Sequence, residues 1–397
     1  MSARSELTRA TAVRYAKASK KEKSKILDEY VLDTGFERKY AISKLNKATA
    51  KYVVKDSFRN KTLVKVVPVK KKKETRGRKK KYDQAVENCV LEVWEFFDRM
   101  CAKRLAPFLS DNADYFQQKR YFGISGEIAG KLKSISPATI GRILKKRKSE
   151  TALKGLSMTS SKGSINLNSI PVRVFFSWDE KVPGFFECDT VANCGASGAG
   201  QFISTLTLTD VGVGWVENRA LPCKTQRNVR DALDDIKFTL PYPMKGLDSD
   251  NGSEFKNMDV YGWCVENNIT FTRSRPYRKN DNCYVEQKNN YHVRNLVGYY
   301  RYEGKEAWQV MDDLYFLYNQ LTNYFYPCMK IIEKTRTGGK VTRKYDKPAS
   351  PFARLMADES IADSIKQRMM EFKSRIDLIE LKKEVDEYKE RLLALAR

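Results

Sequence analysis

Up to residue 150 the apolar side chains recur every three or four positions, and beyond residue 180 they fall into short β-branched and aromatic blocks. In KEKSKILDEYVLDT, Ile26, Leu27, Tyr30 and Val31 share a helical face; Gly35 breaks the helix, and FERKYAISKL resumes the period with Tyr40, Ile42 and Leu45. A second helix, turn, helix unit is predicted in GEIAGKLKSISPATIGRILKKRKS: Ile128 and Leu132 lie on one face, Ser136 can cap, and Pro137 suits the first helical position. Residues 83–108 form one apolar helix that buttresses this second unit.

Between the units, KVVPVKKKKETRGRKKKYD is too charged to pack and is punctuated by Pro68 and Gly77, so it is a linker. Residues 150–170 are rich in Ser and Gly and mark a second boundary. After it, GFFECDTVANCG, QFISTLTLTD and GWVENRALP are predicted strands and TQRNVRDALDDIKFTLP a helix. Then come a strand in MKGLDSD, a helix in MDVYGWCVENN, a strand in ITFTRSRP and a long helix in NDNCYVEQKNNYHVRNLVGYY. The order βββαβαβα implies a mixed sheet with helices on its faces, an α/β domain. Further on, EKTRTGGKVTRKYD is a basic β-hairpin turning at Gly338-Gly339. Leu378, Leu381, Val385, Tyr388, Leu392 and Leu395 then make an amphipathic tail helix, either a short coiled coil between subunits or a strut on the same chain.

Composition adds the partner. The chain has 397 residues, enough for two to three domains at ~150 residues each. Its 74 Lys plus Arg exceed 49 Asp plus Glu by 25, and residues 1–80 alone hold 25 against 8, a balance of +17. Such a charge calls for a polyanion, nucleic acid first. Two helix-turn-helix units inside it fit DNA reading, the second helix of each lying in the major groove. Candidate contacts are Arg38 and Lys39 in the first unit, and Thr139, Arg142, Lys145 and Lys146 in the second. Arg76 and Arg78 flank Gly77 as a minor-groove arm, or serve as a plain phosphate-binding run.

Other classes are excluded by what is scarce. His292 is the single histidine, so Cys₂His₂ fingers and two-His zinc sites are impossible, and catalysis must rest mainly on carboxylates, hydroxyls or thiols. No uncharged apolar run approaches the ~20 residues of a spanning helix. MSARSELTRATAVR has no apolar signal segment, and the cysteines form no C-x-x-C pair, so the expected location is the cytoplasm, on the nucleoid when bound.

Aspartate is disfavoured in strands, which singles out Asp189 in FFECDTV and Asp250 just past MKGLDS. Glu286 follows on a helix with 35 residues, 251–285, between it and Asp250. Glu187 and Asp248 lie two positions from the two aspartates and are alternatives to them.

The segments GFFECDTV, LDSDNGSEF and RPYRKNDNCYVEQKN resemble the catalytic core of bacterial insertion-sequence transposases of the retroviral-integrase type, whose hallmark is Asp, then Asp, then Glu 35 residues on. The likeness reaches the flanks IPVRVFFSWDEKVPGFFECD and LVGYYRYEGKEAW and covers most of residues 170–355. The N-terminal two-unit region and the RGRKKKYD linker also look like that group, and the resemblance together with the elements read above gives a multidomain chain: helix-turn-helix domains at 1–64 and 83–149, linkers at 65–82 and 150–175, a ribonuclease-H-like core at 176–325, a small basic β module at 326–358 and the amphipathic helix at 359–397. It further implies that Asp189, Asp250 and Glu286 are catalytic and hold two Mg²⁺ (or Mn²⁺) ions; D-N-G marks the second Asp, whereas the choice of Asp189 over Glu187 rests on the resemblance alone.

The implied activity is cleavage at transposon ends that frees a 3′-hydroxyl, followed by strand transfer into target DNA, with no membrane partner and with a homo-oligomer formed on DNA. Retroviral integrases carry a His₂Cys₂ zinc module that one histidine cannot build, so end recognition falls to the helix-turn-helix units. Lys288, in V-E-x-K-N, is a phosphate contact or a solvated lysine. His292 stands about 600° of helical turn past Glu286, on roughly the opposite side, and is structural. The rivals are a ribonuclease-H-like nuclease or resolvase, and a domesticated DNA-binding regulator; an intact carboxylate set argues against the regulator.

Overall fold

The computed structural model describes residues 3–49, 81–150, 172–173, 182–249, 258–274, 283–337 and 340–397. They fall into two compact units, Met1–Lys80 and Lys81–Arg397.

The first unit contains α1 (Ala3–Lys17), α2 (Lys20–Thr34) and α3 (Arg38–Thr49). Ser19 and Glu22 form a reciprocal capping box at the start of α2, and Gly35 takes φ 68° to end it. Ile26, Leu27, Tyr30 and Leu45 are buried as their spacing requires, but Tyr40 is 48% exposed and Ala41 takes the core position beside it. The sequence reading missed α1, whose Ala12 and Tyr15 complete this core and whose Thr8 hydroxyl lies 2.7 Å from that of Tyr30. Scattered charge hides its apolar stripe.

The second unit opens with α4 (Gln84–Phe96) and α5 (Ala102–Gln118). The single helix expected over 83–108 is therefore two. Asp98 and Arg99 adopt φ 56° and 51°, which no α-helix accommodates. Asp98 also accepts a hydrogen bond from the Tyr326 hydroxyl at 2.7 Å and pairs with Lys382 at 3.3 Å, so contacts far along the chain fix the break. The short helix α6 (Gly126–Lys133) starts at the Ser125 cap, and α7 (Pro137–Glu150) follows, with the Thr139 N–H donating to Ser136 Oγ at 3.3 Å.

Next are β1 (Val172–Arg173), β2 (Phe185–Ala192), β3 (Ser204–Asp210), β4 (Val216–Leu221), α8 (Gln226–Thr239), β5 (Gly246–Ser249), α9 (Met258–Glu266) and β6 (Thr270–Ser274). The sheet order is β1-β6-β5-β2-β3-β4. Strands β2, β3 and β4 pair antiparallel, whereas β2-β5, β5-β6 and β1-β6 pair parallel. Helix α10 (Cys283–Lys288) continues through a π-helical turn (Asn289–Arg294) into α11 (Asn295–Val297), and α12 (Gly304–Tyr324) follows.

Helix α12 completes the sheet. On edge strand β4 the Val216 N–H donates to Asn323 Oδ1 (2.9 Å), that of Asn218 to Asn319 Oδ1 (3.2 Å) and that of Ala220 to Asp312 Oδ1 (2.8 Å). The carbonyls of the same residues accept from Asn323, Asn319 and Trp308. One helical stripe thus replaces a missing strand and leaves the edge no open donors for another chain.

The chain ends with β7 (Ile331–Thr337), β8 (Lys340–Tyr345), α13 (Pro351–Ala357), α14 (Asp363–Arg375) and α15 (Leu378–Ala394). Strands β7 and β8 make the expected hairpin; its turn, 338–339, lies outside the described residues. In α15, Leu378, Leu381, Val385 and Leu392 are buried in the same core as α4, α5 and the sheet. Its N-cap Asp377 accepts from Tyr115 of α5 and lies 2.7 Å from the Nζ of Lys119, which caps the end of that helix. The tail is the intramolecular strut, and its apolar seam is occupied within the unit. The second helix-turn-helix region and the α/β sheet share this continuous core.

Candidate active site

Asp189 sits in the middle of β2 opposite Thr207 of β3 and is half-buried. Its Oδ1 accepts the Thr190 N–H at 2.7 Å and its Oδ2 accepts the Asn289 carboxamide N–H, also at 2.7 Å. Glu187, two positions earlier on the same face of the strand, is fully buried, and its Oε2 accepts the Val285 N–H at 3.0 Å. Two carboxylates of one strand therefore bind the N–H groups of one helical segment, four residues apart. Glu286 lies between those two attachment points and is exposed.

These burials separate the alternatives. Glu187 is 0% exposed and holds the start of α10. Asp248 is 1% exposed, pairs in register with both Glu187 and Thr272, and accepts the Thr272 hydroxyl at 2.5 Å. Asp189 is half-buried and Glu286 exposed, so these two reach solvent where Glu187 and Asp248 do not.

Asp250 lies outside the described residues. Ser249, the last described residue of β5, is the strand partner of Cys188, the neighbour of Asp189. Among the described residues no three metal-ligating side chains cluster.

His292 is buried, its ring packs 5.6 Å from that of Tyr318, and its Nδ1 finds no partner among the described residues. Burial, reinforced by Lys288 and Arg104, holds its pKa well below the ordinary imidazole value. It is packed as a core residue, in a π-helical turn to which the α-helical angle does not apply. The Lys288 amine is directed to the Gly214 carbonyl at 3.4 Å, and burial lowers its pKa. Lys288 is half-buried, about 200° of helix away from Glu286.

The proposed DNA contacts divide. Arg38 is exposed but pairs with Asp28 and donates to Ser24 Oγ at 3.1 Å, and Lys39 is exposed. Thr139 is half-buried in the Ser136 cap and accepts from Arg142 at 3.3 Å; Arg142 and Lys145 are exposed. Arg76, Arg78 and the Lys146 side chain lie outside the described residues. A cleft of about 700 Å³ is lined by Pro137 at the start of α7, by Lys103 of α5 and by Glu333, Arg343, Lys344 and Asp346 in and beside the hairpin, a lining of mixed charge.

Asn289 and the docking role of Glu187 were not foreseen. Asn289 is the last residue of the V-E-x-K-N context, so its signal was present but carried no assigned task.

Fold and site together define a multidomain α/β protein with a helical N-terminal unit, a mixed sheet and a carboxylate-bearing strand tied to a carboxylate-bearing helix. No protein-family model matches the chain. It is 35% identical over 356 residues to the uncharacterized protein y4rM of Sinorhizobium fredii (strain NBRC 101917 / NGR234), an alignment covering 89% of this chain and 95% of that protein. The chain belongs to the family of y4rM.

Proposed function

We propose that the chain is a DNA transposase of the retroviral-integrase type, which binds the terminal repeats of a mobile element, frees a 3′-hydroxyl at each end and joins it to target DNA. In this reading Asp189, Asp250 and Glu286 are the catalytic carboxylates and the sheet with its helices is a ribonuclease-H-like core. The observation that carries it is the pair of hydrogen bonds from β2 to the α10 segment, Glu187 to Val285 and Asp189 to Asn289. They tie the segment that carries Glu286 to the strand that carries Asp189; the part given to Asp250, which lies outside the described residues, rests on the sequence resemblance.

The donor set suits Mg²⁺ or Mn²⁺, because all three groups are hard carboxylates. Two such ions, when bound, supply Lewis acidity at the attacking and leaving oxygens of a phosphodiester. The protein's own part is orientation. Asn289 fixes the Asp189 carboxylate, Glu187 fixes the helix that carries Glu286, and the exposed basic side chains of α3, α7 and the hairpin draw in the DNA backbone. Joining two ends in one reaction needs at least two protomers; with the α15 seam already buried, their interface must use another surface.

The test is joining of a labelled terminal-repeat oligonucleotide, taken from the inverted repeats flanking the gene, to supercoiled plasmid in Mg²⁺. The parent chain joins, and Asp250→Asn binds the repeat with parental affinity but joins at under about a hundredth of the parental rate. Parental joining by Asp250→Asn removes the carboxylate from the mechanism.

A further inference from the structure

Two adjacent aromatic side chains, Tyr299 and Tyr300, stand 56% and 51% exposed in the turn between α11 and α12. The Arg294 guanidinium lies 4.9 Å from the Tyr299 ring centroid. One edge of the Tyr300 ring abuts Gly298, where a Cβ would come within 2.8 Å of two ring carbons; this glycine also needs its φ of +78°. The turn is fixed on both sides. The Tyr302 hydroxyl donates to the Val297 carbonyl at 2.8 Å, and the Arg301 guanidinium donates to the carbonyls of Ser197 and Ala199, each at 2.7 Å, in the loop that leaves β2.

The location links this turn to the carboxylates. Arg294 Nη2, from beneath Tyr299, donates to the carbonyl of Ala192 at 3.1 Å. Ala192 ends β2 three residues past Asp189, about 10 Å along the strand. Rings already held in place lose little freedom on stacking, and an aromatic face accepts any base, because every base has a π-face.

We propose that Tyr299 and Tyr300 form a stacking platform for an unpaired nucleobase of the DNA held at Asp189. This rests on the strand-transfer reading, in which cutting one strand near an end leaves its complement projecting without a partner. The strongly basic chain retains the backbone of that projecting strand, and the tyrosines hold its bases away from the freed 3′-hydroxyl.

The test uses the full chain and two labelled duplexes of one terminal-repeat sequence, one blunt and one with a short single-stranded overhang carrying 2-aminopurine. The parent binds the overhang duplex more tightly and quenches the 2-aminopurine. Tyr299→Ala/Tyr300→Ala loses about tenfold of that preference and the quenching while binding the blunt duplex as the parent does, whereas Tyr299→Phe/Tyr300→Phe retains both. The platform is refuted by an alanine variant that keeps preference and quenching, that weakens on both duplexes alike, or whose defect is confined to the number of protomers on DNA, the mark of a protein contact. A parent that binds and joins blunt DNA without any overhang response refutes the platform alone. A parent that binds neither duplex refutes the DNA reading as well.

Discussion

Asp210 shows how a single buried carboxylate makes the fold depend on pH. Its Oδ2 accepts the Gly184 N–H at 2.7 Å and the Tyr242 hydroxyl at 3.0 Å, and its Oδ1 accepts the Val213 N–H at 2.9 Å. Burial outweighs these bonds and pushes its pKa up to about 6. A carboxyl whose pKa is higher in the folded chain than in the unfolded one stabilises the fold fully below about pH 4, and that contribution is lost as pH rises through 6, about 3 kcal/mol in all. Denaturant unfolding of parent and Asp210→Asn between pH 4 and 7 checks this: the parent loses stability relative to the variant across the window, and parallel curves would contradict it. At this scale the candidate carboxylates were legible and their surroundings were not. A strand aspartate and an Asp-Asn-Gly are local oddities that announce themselves, whereas the difference in burial between Asp189 and Glu187 depends on what packs against the strand. Asn289 acquires its task only when its helix meets β2.

Helix α12 and strand β4 show why elements were easier to place than their edges. The block GWVENRALP announces a strand, but Trp308, Asp312, Asn319 and Asn323, which occupy its outer edge, lie 88 to 107 residues further on. Asn319 alone makes three bonds, to the N–H and carbonyl of Asn218 and to Glu217. Asn319→Leu leaves those buried groups unpaired and costs about 3 kcal/mol. It also opens the β4 edge to pairing with other chains. A denaturant midpoint lowered without change of slope, together with concentration-dependent association, is the expected result; an unchanged midpoint would show that the ladder is incidental. The broken helix at 97–101 has the same origin, since Asp98 answers to Tyr326 and Lys382, far beyond any local pattern. In the tail helix the heptad spacing was visible, but the surface it covers was not.

For the whole molecule, charge and chemistry separate along the chain. Residues 1–80, which coincide with the first unit, hold +17 of the +25, and the carboxylates lie in the second. The boundary expected near residue 150 is a join between secondary-structure types, since the helices before it and the sheet after it bury one core. Composition reports a change of period there but cannot report shared packing.

The central proposal is that Asp189, Asp250 and Glu286 act as one site, and joining kinetics with the terminal repeat test it most directly. Groups that act as a unit are non-additive, so Asp189→Asn, Asp250→Asn, Glu286→Gln and the triple variant should each fall by a similar factor, at least about a hundredfold, with repeat binding unchanged. Asn289→Ala, which only loosens Asp189, should fall by about tenfold. Any one of the three single carboxylate variants joining near the parental rate, or losses that multiply from single to triple variant, would contradict the account.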